Sequence, residues 1–230
     1  MSIDLTGITN KNEYYTNHYF STIFEENAGE AITAWAQAAK SSEEIRTPWA
    51  QLRQNARQFY PLHDRYAGGA LNLQLLAAIR TMADRYLASL GYPEAAPELV
   101  PVDASLSVPV YLEMKKSNGA PLLWVMLSAA RESDAGILES NVFDGNIAEE
   151  DAFGAVHNDD LLELKNEDLA TQILFGAAEP PRFLLFISLN QIALIDRNKW
   201  SEKRYLQFEL EDIFSRLELT TLQAMVVLLH

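Results

Sequence analysis

Val108-Pro-Val-Tyr-Leu-Glu-Met-Lys-Lys-Ser-Asn-Gly-Ala-Pro-Leu-Leu-Trp-Val-Met-Leu-Ser-Ala-Ala-Arg131 is the stretch whose reading decides the fold. It reads as two strands joined at Ser117-Asn118-Gly119. Asn-Gly is a strong hairpin signal, because both residues tolerate positive φ. Side chains alternate along a strand. Val108, Val110, Leu112 and Met114 should therefore share one face, and Tyr111, Glu113 and Lys115 the other. The second strand, Leu122 to Ala130, is apolar on both faces. That places it in the middle of a sheet covered on both sides.

Upstream, the periodicity is helical. Asn10 followed three residues later by Glu13 has the form of a capping box. Tyr15, Tyr19, Phe20, Ile23 and Phe24 form the apolar stripe of the helix it would open. Asn27 to Gly29 interrupts, and a second helix with Ile32, Trp35 and Ala39 on one side runs to Lys40. Thr47-Pro48 is an N-cap and first-turn pair for a third helix bearing Trp49, Leu52, Ala56 and Phe59. Pro61 should kink or end it. Beyond Gly68-Gly69, a fourth helix is marked by Leu71, Leu75, Ile79, Met82, Tyr86 and Leu90. Gly91 and Pro93 stop it. Residues 1–95 are thus a helical portion, packed on a core of residues 96–230 as one compact unit.

Downstream of Pro97 the character changes. Leu99 to Asp103 is a short strand ahead of the hairpin. From Glu132 to Asp168 the only basic residue is Lys165, and the acids Glu132, Asp134, Glu139, Asp144, Glu149, Glu150, Asp151, Asp159 and Asp160 read as a solvated loop. No calcium-loop register occurs among them. Asn166 caps a short helix through Leu169 and Ile173 that Gly176 closes. Arg182 to Leu189 and Gln191 to Arg197 form a second hairpin; Tyr205 to Leu210 is a further strand and Glu211 to Arg216 a helical turn. Thr220 to His230 is an apolar helical pattern without cap or tail, which reads as the cut end of a fragment of a longer protein. Helices, then a sheet without alternation, then helix and strands again give an α/β (α+β) fold with a mixed sheet flanked by helices.

Composition narrows the functional classes. With 230 residues, 48% of them hydrophobic, the chain can build a substantial core. It has no cysteine, which removes disulfides, thiolate zinc sites and a catalytic thiol. There is no long apolar run and no signal-peptide pattern, so a soluble cytoplasmic protein with no membrane partner is expected. The net charge of −14 opposes non-specific nucleic-acid binding but leaves room for a local basic patch. His18, His63, His157 and His230 show no metal-ligand spacing. No nucleophile elbow, Walker loop or dinucleotide glycine loop is present, and Glu179-Pro-Pro-Arg182 lacks the Asn and the aromatic of a methyltransferase loop.

Two constellations could carry chemistry. Asp103, Glu113 and Lys115 are the first. Two carboxylates, Asp103 and Glu113, could converge on Mg²⁺, which demands oxygen ligands. Lys115 would then orient water or stabilise developing charge. Glu113 and Lys115 lie about 7 Å apart on one strand face. The alternative is a solvated strand end beside a turn. The second constellation is Arg182, Arg197, Lys199, Lys203 and Arg204 with Trp200 and Tyr205 interleaved. Cations reach phosphates and aromatics stack on bases, so this is the candidate DNA-facing surface. Its alternative is an ordinary hairpin loop with Trp200 packed on the core. Arg53, Arg57 and Arg65 could extend the patch or pair with nearby acids.

These elements carry a family resemblance. Pro109 to Ala130 resembles the central hairpin of PD-(D/E)xK nuclease-like domains, and Arg182 to Asp196 resembles the strand pair that follows it. Lys203 to Phe214 also fits. Together, residues 10–230 are similar to the N-terminal domain of large single-chain restriction–modification proteins, in which an adenine-N6 DNA methyltransferase lies downstream. The resemblance implies a restriction-endonuclease-like sheet and a role in phage defence, with DNA and the downstream methyltransferase domains as partners. In the usual layout an Asp opens the first hairpin strand and Glu-x-Lys closes the second. Here Ser107 stands near the first position, and the second strand ends Leu127-Ser-Ala-Ala130. In that register the site is degenerate, and the domain engages DNA or scaffolds without cutting. The alternatives are a Mg²⁺-dependent nuclease using Asp103, Glu113 and Lys115, and a protein–protein adaptor with no nucleic-acid role.

Overall fold

Tyr111 divides the central stretch between two sheets. The computed structural model describes residues 4–42, 44–68, 73–128, 136–140 and 164–230. In chain order these form β1 (Ile8–Lys11), a π-helical turn (Tyr19–Ile23), α1 (Phe24–Ser41), α2 (Pro48–Gly68), α3 (Leu73–Ser89), β2 (Glu98–Pro101), β3 (Ser107–Val110), β4 (Leu112–Lys115) and β5 (Pro121–Leu127). There follow α4 (Asn166–Gly176), β6 (Phe183–Ile187), β7 (Gln191–Asp196), α5 (Arg197–Trp200), β8 (Tyr205–Glu209), α6 (Leu210–Arg216) and α7 (Leu219–Leu229). The class is mixed α/β, as the periodicity indicates.

Six strands form one sheet in the order β1-β8-β7-β6-β5-β4, while β2 and β3 pair only with each other. Within the large sheet β5 and β6 are parallel and the remaining pairs antiparallel. A parallel pair cannot be joined by a tight turn. Here α4 lies in the connection and packs on the face it crosses, through Leu169, Ala170, Ile173 and Leu174.

Both faces of the sheet are covered. On one, Leu123, Val125, Leu127, Leu185, Ile187, Ile192, Leu206 and Phe208 meet α2, α3, α6 and α7. On the other, Trp124, Met126, Leu184, Phe186, Ala193 and Ile195 meet α4, the β2–β3 hairpin and Trp200. Each large side chain so buried stabilises by about 1.5–3 kcal/mol relative to exposure. The double burial of β5 and β6 explains why their sequences carry no polar alternation.

The alternation expected from Val108 to Lys115 fails at its middle. Val108 and Val110 enter the α4-side core, but Tyr111 and Leu112 both enter the helical-side core, followed by Met114. The cause is the bend at Tyr111, where the chain leaves one sheet for the other and the Tyr111 N–H bonds the Val125 carbonyl at 2.8 Å. The turn also differs from a two-residue hairpin. Gly119 N–H bonds the Lys116 carbonyl, and Lys116 N–H bonds the Ala120 carbonyl. Only Gly119 takes positive φ, at +84°. Asn118 instead accepts the Ala120 N–H on its side chain. This loop carries a bulge, seen as the register shift between Met114 and Lys115.

The N-terminal segment departs most from expectation. Residues 8–11 are a strand on the edge of the large sheet, not part of a helix. Asn10 is no helix cap: its amide bonds both the N–H and the carbonyl of Tyr15, and Asn12 and Glu13 take positive φ. Asn27 to Gly29 does not interrupt; α1 runs through it from Phe24 to Ser41. Pro61 likewise lies inside α2, which starts at Pro48 as expected. The fourth helix ends as expected, with Gly91 at φ +84° and Tyr92 N–H reaching back to the Leu87 carbonyl. Asn166 begins α4 but does not cap it. Its fully buried amide donates to Ser128 Oγ at 2.9 Å and to the Ile137 carbonyl at 2.7 Å.

Of the acidic loop, Glu132, Asp134, Asp144, Glu149, Glu150, Asp151, Asp159 and Asp160 lie outside the described residues, as do Ala129 and Ala130. Among the described residues no helix is long and apolar enough to cross a membrane.

Candidate functional site

The three residues of the nuclease constellation are not brought together. Asp103 sits in the tip of the β2–β3 hairpin, where its Oδ1 accepts from Ser105 N, Ser105 Oγ and Leu106 N at 2.7, 2.9 and 2.8 Å. The backbone N–H of Ser105, and then that of Leu106, hold its carboxyl below the usual value. The strand beside it starts at Ser107, and Glu113 stands six residues farther on, beyond the bend. Asp103 Oδ1 is thus taken up by its own turn, and among the described residues it makes no hydrogen bond or ion pair with Glu113 or Lys115, which bond to Trp124 and to each other. Among the described residues no group of three or more His, Asp or Glu side chains could hold a metal ion.

Glu113 and Lys115 do meet, 2.9 Å apart from Oε2 to Nζ. Glu113 is the cross-strand partner of Trp124, whose indole N–H donates to its other oxygen at 3.0 Å. The hydrogen bond that Lys115 donates to Glu113, and then the charge of that carboxylate, raise the Lys115 pKa. Both carboxylate oxygens of Glu113 therefore have protein partners. The arrangement orients a buried tryptophan at the sheet edge.

The basic constellation is brought together around α5, in a largely neutralised form. Arg182 pairs with buried Asp196 at 3.2 Å and lies over the Phe183 ring. Lys203 pairs with Glu167 at 2.7 Å and lies over the Trp200 ring. Arg204 pairs with Glu202. Lys199 donates to the Tyr14 carbonyl at 2.6 Å beneath the Tyr14 and Tyr15 rings. Burial, more than any neighbouring charge, lowers its pKa. Among the described residues, Arg197 and Lys199 are the members of this set that make no ion pair. Trp200 is buried in the α4-side core with its N–H on Thr171 Oγ1 at 3.0 Å, so it offers no stacking surface to a base. Arg53 does not extend the patch, since its guanidinium is held by the Leu217 carbonyl at 2.6 Å.

Two features went unread in the sequence. At the carboxyl ends of β5 and β6, Asn166 reaches Ser128, while Gln191 and Gln207 both donate to Glu209. Asn166 Oδ1 and Gln207 Oε1 are buried without a partner among the described residues. The signal was present as polar residues on otherwise apolar strands. The second feature is a cleft of about 360 Å³ where Tyr14 and Tyr15, α7 and the ends of β4 to β7 meet. Tyr14, Tyr15, Tyr92, Met114, Phe183 and His230 are among its walls. Its signal was the Tyr14-Tyr15 pair beside the apolar C-terminal pattern.

Compared with known proteins, the chain matches no family model, no curated protein and no solved structure.

Proposed function

We propose that this chain is a DNA-engaging and scaffolding module of nuclease-like fold that does not cut. It would work in a restriction–modification protein of phage defence, ahead of an adenine-N6 methyltransferase. The observation that carries the reading is charge segregation. Arg182, Arg197, Lys199, Lys203 and Arg204 gather around α5 in a chain of net charge −14. That the β4–β5 hairpin is followed along the chain by the β6–β7 pair supports the reading. Cleavage is left out because Asp103 stands apart from Glu113, and β5 ends in Leu127 and Ser128 with neither acid nor lysine. Mg²⁺ would enter only through Asp103 and Glu113, which do not converge.

The test is duplex affinity against ionic strength. Phosphate neutralisation makes log affinity fall linearly with log salt. Arg197→Glu and Lys203→Glu should weaken binding and flatten that slope. Binding indifferent to salt, or none, would overturn the reading. A protein–protein adaptor is the second reading. The pairing of Arg182, Lys203 and Arg204 with Asp196, Glu167 and Glu202 favours it, because each carboxylate offsets part of the positive charge that a duplex would meet.

A further inference from the structure

We propose that the aromatic cleft is a nucleotide site, taking one unpaired nucleobase between its rings with the attached phosphate at Arg182. This inference rests on the DNA-engaging reading for the strand that would deliver the base; a free nucleotide is the other source of the same chemistry.

The cleft has the size of small-molecule sites, which start near 300 Å³. Its walls combine Tyr14, Tyr15, Tyr92 and Phe183 with the imidazole of His230. Tyr15 already stacks on Tyr19, and Lys199 lies over the Tyr14 and Tyr15 rings, so a base would stack on the π faces that these contacts leave, whatever its sequence. The rim supplies the charge. Phe183 lines the cleft, and the guanidinium of the preceding Arg182 lies 5.0 Å from the centre of its ring. One Nη of Arg182 meets Asp196, which leaves further N–H donors of the fork for an anion. The charges of Arg182 and Asp196 are both felt at the Tyr14 phenol, so the rim lies beside the cleft. The Arg197 N–H bonds the Arg182 carbonyl at 2.8 Å, which fixes the backbone that carries Arg182 at this edge.

His230 gives the site a polar edge. Its Nδ1 lies 2.7 Å from the Leu90 carbonyl, which can only accept, so Nδ1 carries the hydrogen. In the neutral ring Nε2 is then an acceptor for an N–H of the base. An aliphatic occupant would use neither this acceptor nor the rim cations.

The experiment uses the 230-residue chain and three probes: deoxyadenosine monophosphate, deoxyadenosine, and a short single-stranded oligonucleotide ending in 2-aminopurine. Stacking should quench 2-aminopurine fluorescence, and the monophosphate should bind more tightly than the nucleoside. Phe183→Leu should weaken the monophosphate and the oligonucleotide about tenfold or more, the loss typical of one stacked aromatic. Arg182→Met should bring the monophosphate down to the affinity of the nucleoside. Thermal melting checks that each variant is folded, and Tyr15→Leu is the second wall variant if Phe183→Leu is not. Absence of quenching, equal affinity for nucleoside and monophosphate, or binding unchanged in the wall variants would overturn the site. Duplex binding is measured in parallel. Duplex affinity with no quenching refutes the cleft alone, whereas monophosphate binding with no duplex affinity refutes the DNA reading and leaves a free-nucleotide site.

Discussion

The two faces of the six-stranded sheet are built differently. Toward α2, α3, α6 and α7 the buried surface is an apolar assembly that includes Leu52, Phe59, Tyr86, Leu87, Phe214 and Met225. Toward α4 the same strands present Trp124, Leu184 and Phe186, but also buried Gln191 and Gln207, with buried Ser128 just past β5 and buried Asn166 at the start of α4. The helical face also holds buried polar groups, but they pair from helix to helix, as where the Asn55 amide on α2 donates to the Arg85 carbonyl and Ser89 Oγ of α3. On the α4 face the polar atoms are answered by one another and by the Ile137 carbonyl and Glu209. On both faces the loss of such a bond strands a buried group, but on the α4 face the bonds tie the crossover helix to the end of β5 rather than one helix to the next.

The sharpest test of that difference starts with what the faces share. Phe59 on α2 and Phe186 on β6 are both fully buried, on opposite faces. Truncating either to alanine should cost about 3–5 kcal/mol, by lost transfer energy plus the cavity left behind. Because the strands carry both cores, each variant should still unfold in a single transition. Denaturant titration followed by fluorescence and by circular dichroism checks this. Non-coincident curves in the Phe186→Ala variant would show that the α4 face opens separately.

Asn166 probes the polar half of the comparison. Asn166→Ala removes two donors from buried acceptors, and the expected loss is about 1–3 kcal/mol. An apolar side chain of the same size, Asn166→Leu, should not recover it, since Ser128 and the Ile137 carbonyl would remain without that donor. Equal stability of Asn166→Leu and the parent would mean that the polar groups add nothing to the face.

The same contrast explains what could be read in advance. Helical-face elements were legible because one apolar stripe at helical spacing, such as Leu52, Ala56 and Phe59, suffices to specify them. The β6–β7 hairpin and the doubly buried strands were legible from their unbroken apolar runs. What escaped depends on contacts remote in sequence. Asn10 looks like a helix cap until β8 offers residues 8–11 a ladder and Tyr15 takes up the Asn10 amide. Val108 to Lys115 looks like one strand because periodicity cannot show the bend at Tyr111, which reassigns Leu112 to the opposite core. Contacts remote in sequence also reshape the surroundings of the candidate sites. Glu113 and Lys115 were correctly placed on one face, yet Trp124 across the ladder turns the pair into a support for an indole. The cations around α5 were correctly grouped, but Glu167, Asp196 and Glu202 come to meet them.

Tyr92 adds a pH test on the helical side. Its phenol donates to the Leu229 carbonyl at 2.6 Å, and burial pushes its pKa from 10.0 up to about 12. A phenol with a raised folded-state pKa keeps its proton longer in the folded chain than in the unfolded one. Its contribution is therefore complete below pH 10 and falls as pH rises from 10 toward 12. Tyr205, also pushed up to about 12 by burial, acts in the same direction. Tyr92→Phe should lose about 1 kcal/mol at pH 7, from the missing hydrogen bond. It should also show a shallower decline in stability between pH 10 and 12 than the parent. Parallel declines would mean that Tyr92 is not among the groups that set alkaline unfolding.

The smallest effect is expected where the sequence suggested the most chemistry. Lys115 is exposed, and its ion pair with Glu113 lies at the solvated end of the ladder. Exposed pairs of this kind contribute little, because solvent screens them and the flexible lysine loses entropy when held. Lys115→Met should leave the denaturation midpoint unchanged within error. Glu113→Leu should lower it, because the buried Trp124 N–H then has no acceptor there. If the two substitutions cost the same, the value of Glu113 lies in its charge pair. If only Glu113→Leu costs, the carboxylate is there for the indole, and the acid–lysine spacing on β4 is a by-product of holding Trp124 in the α4-side core.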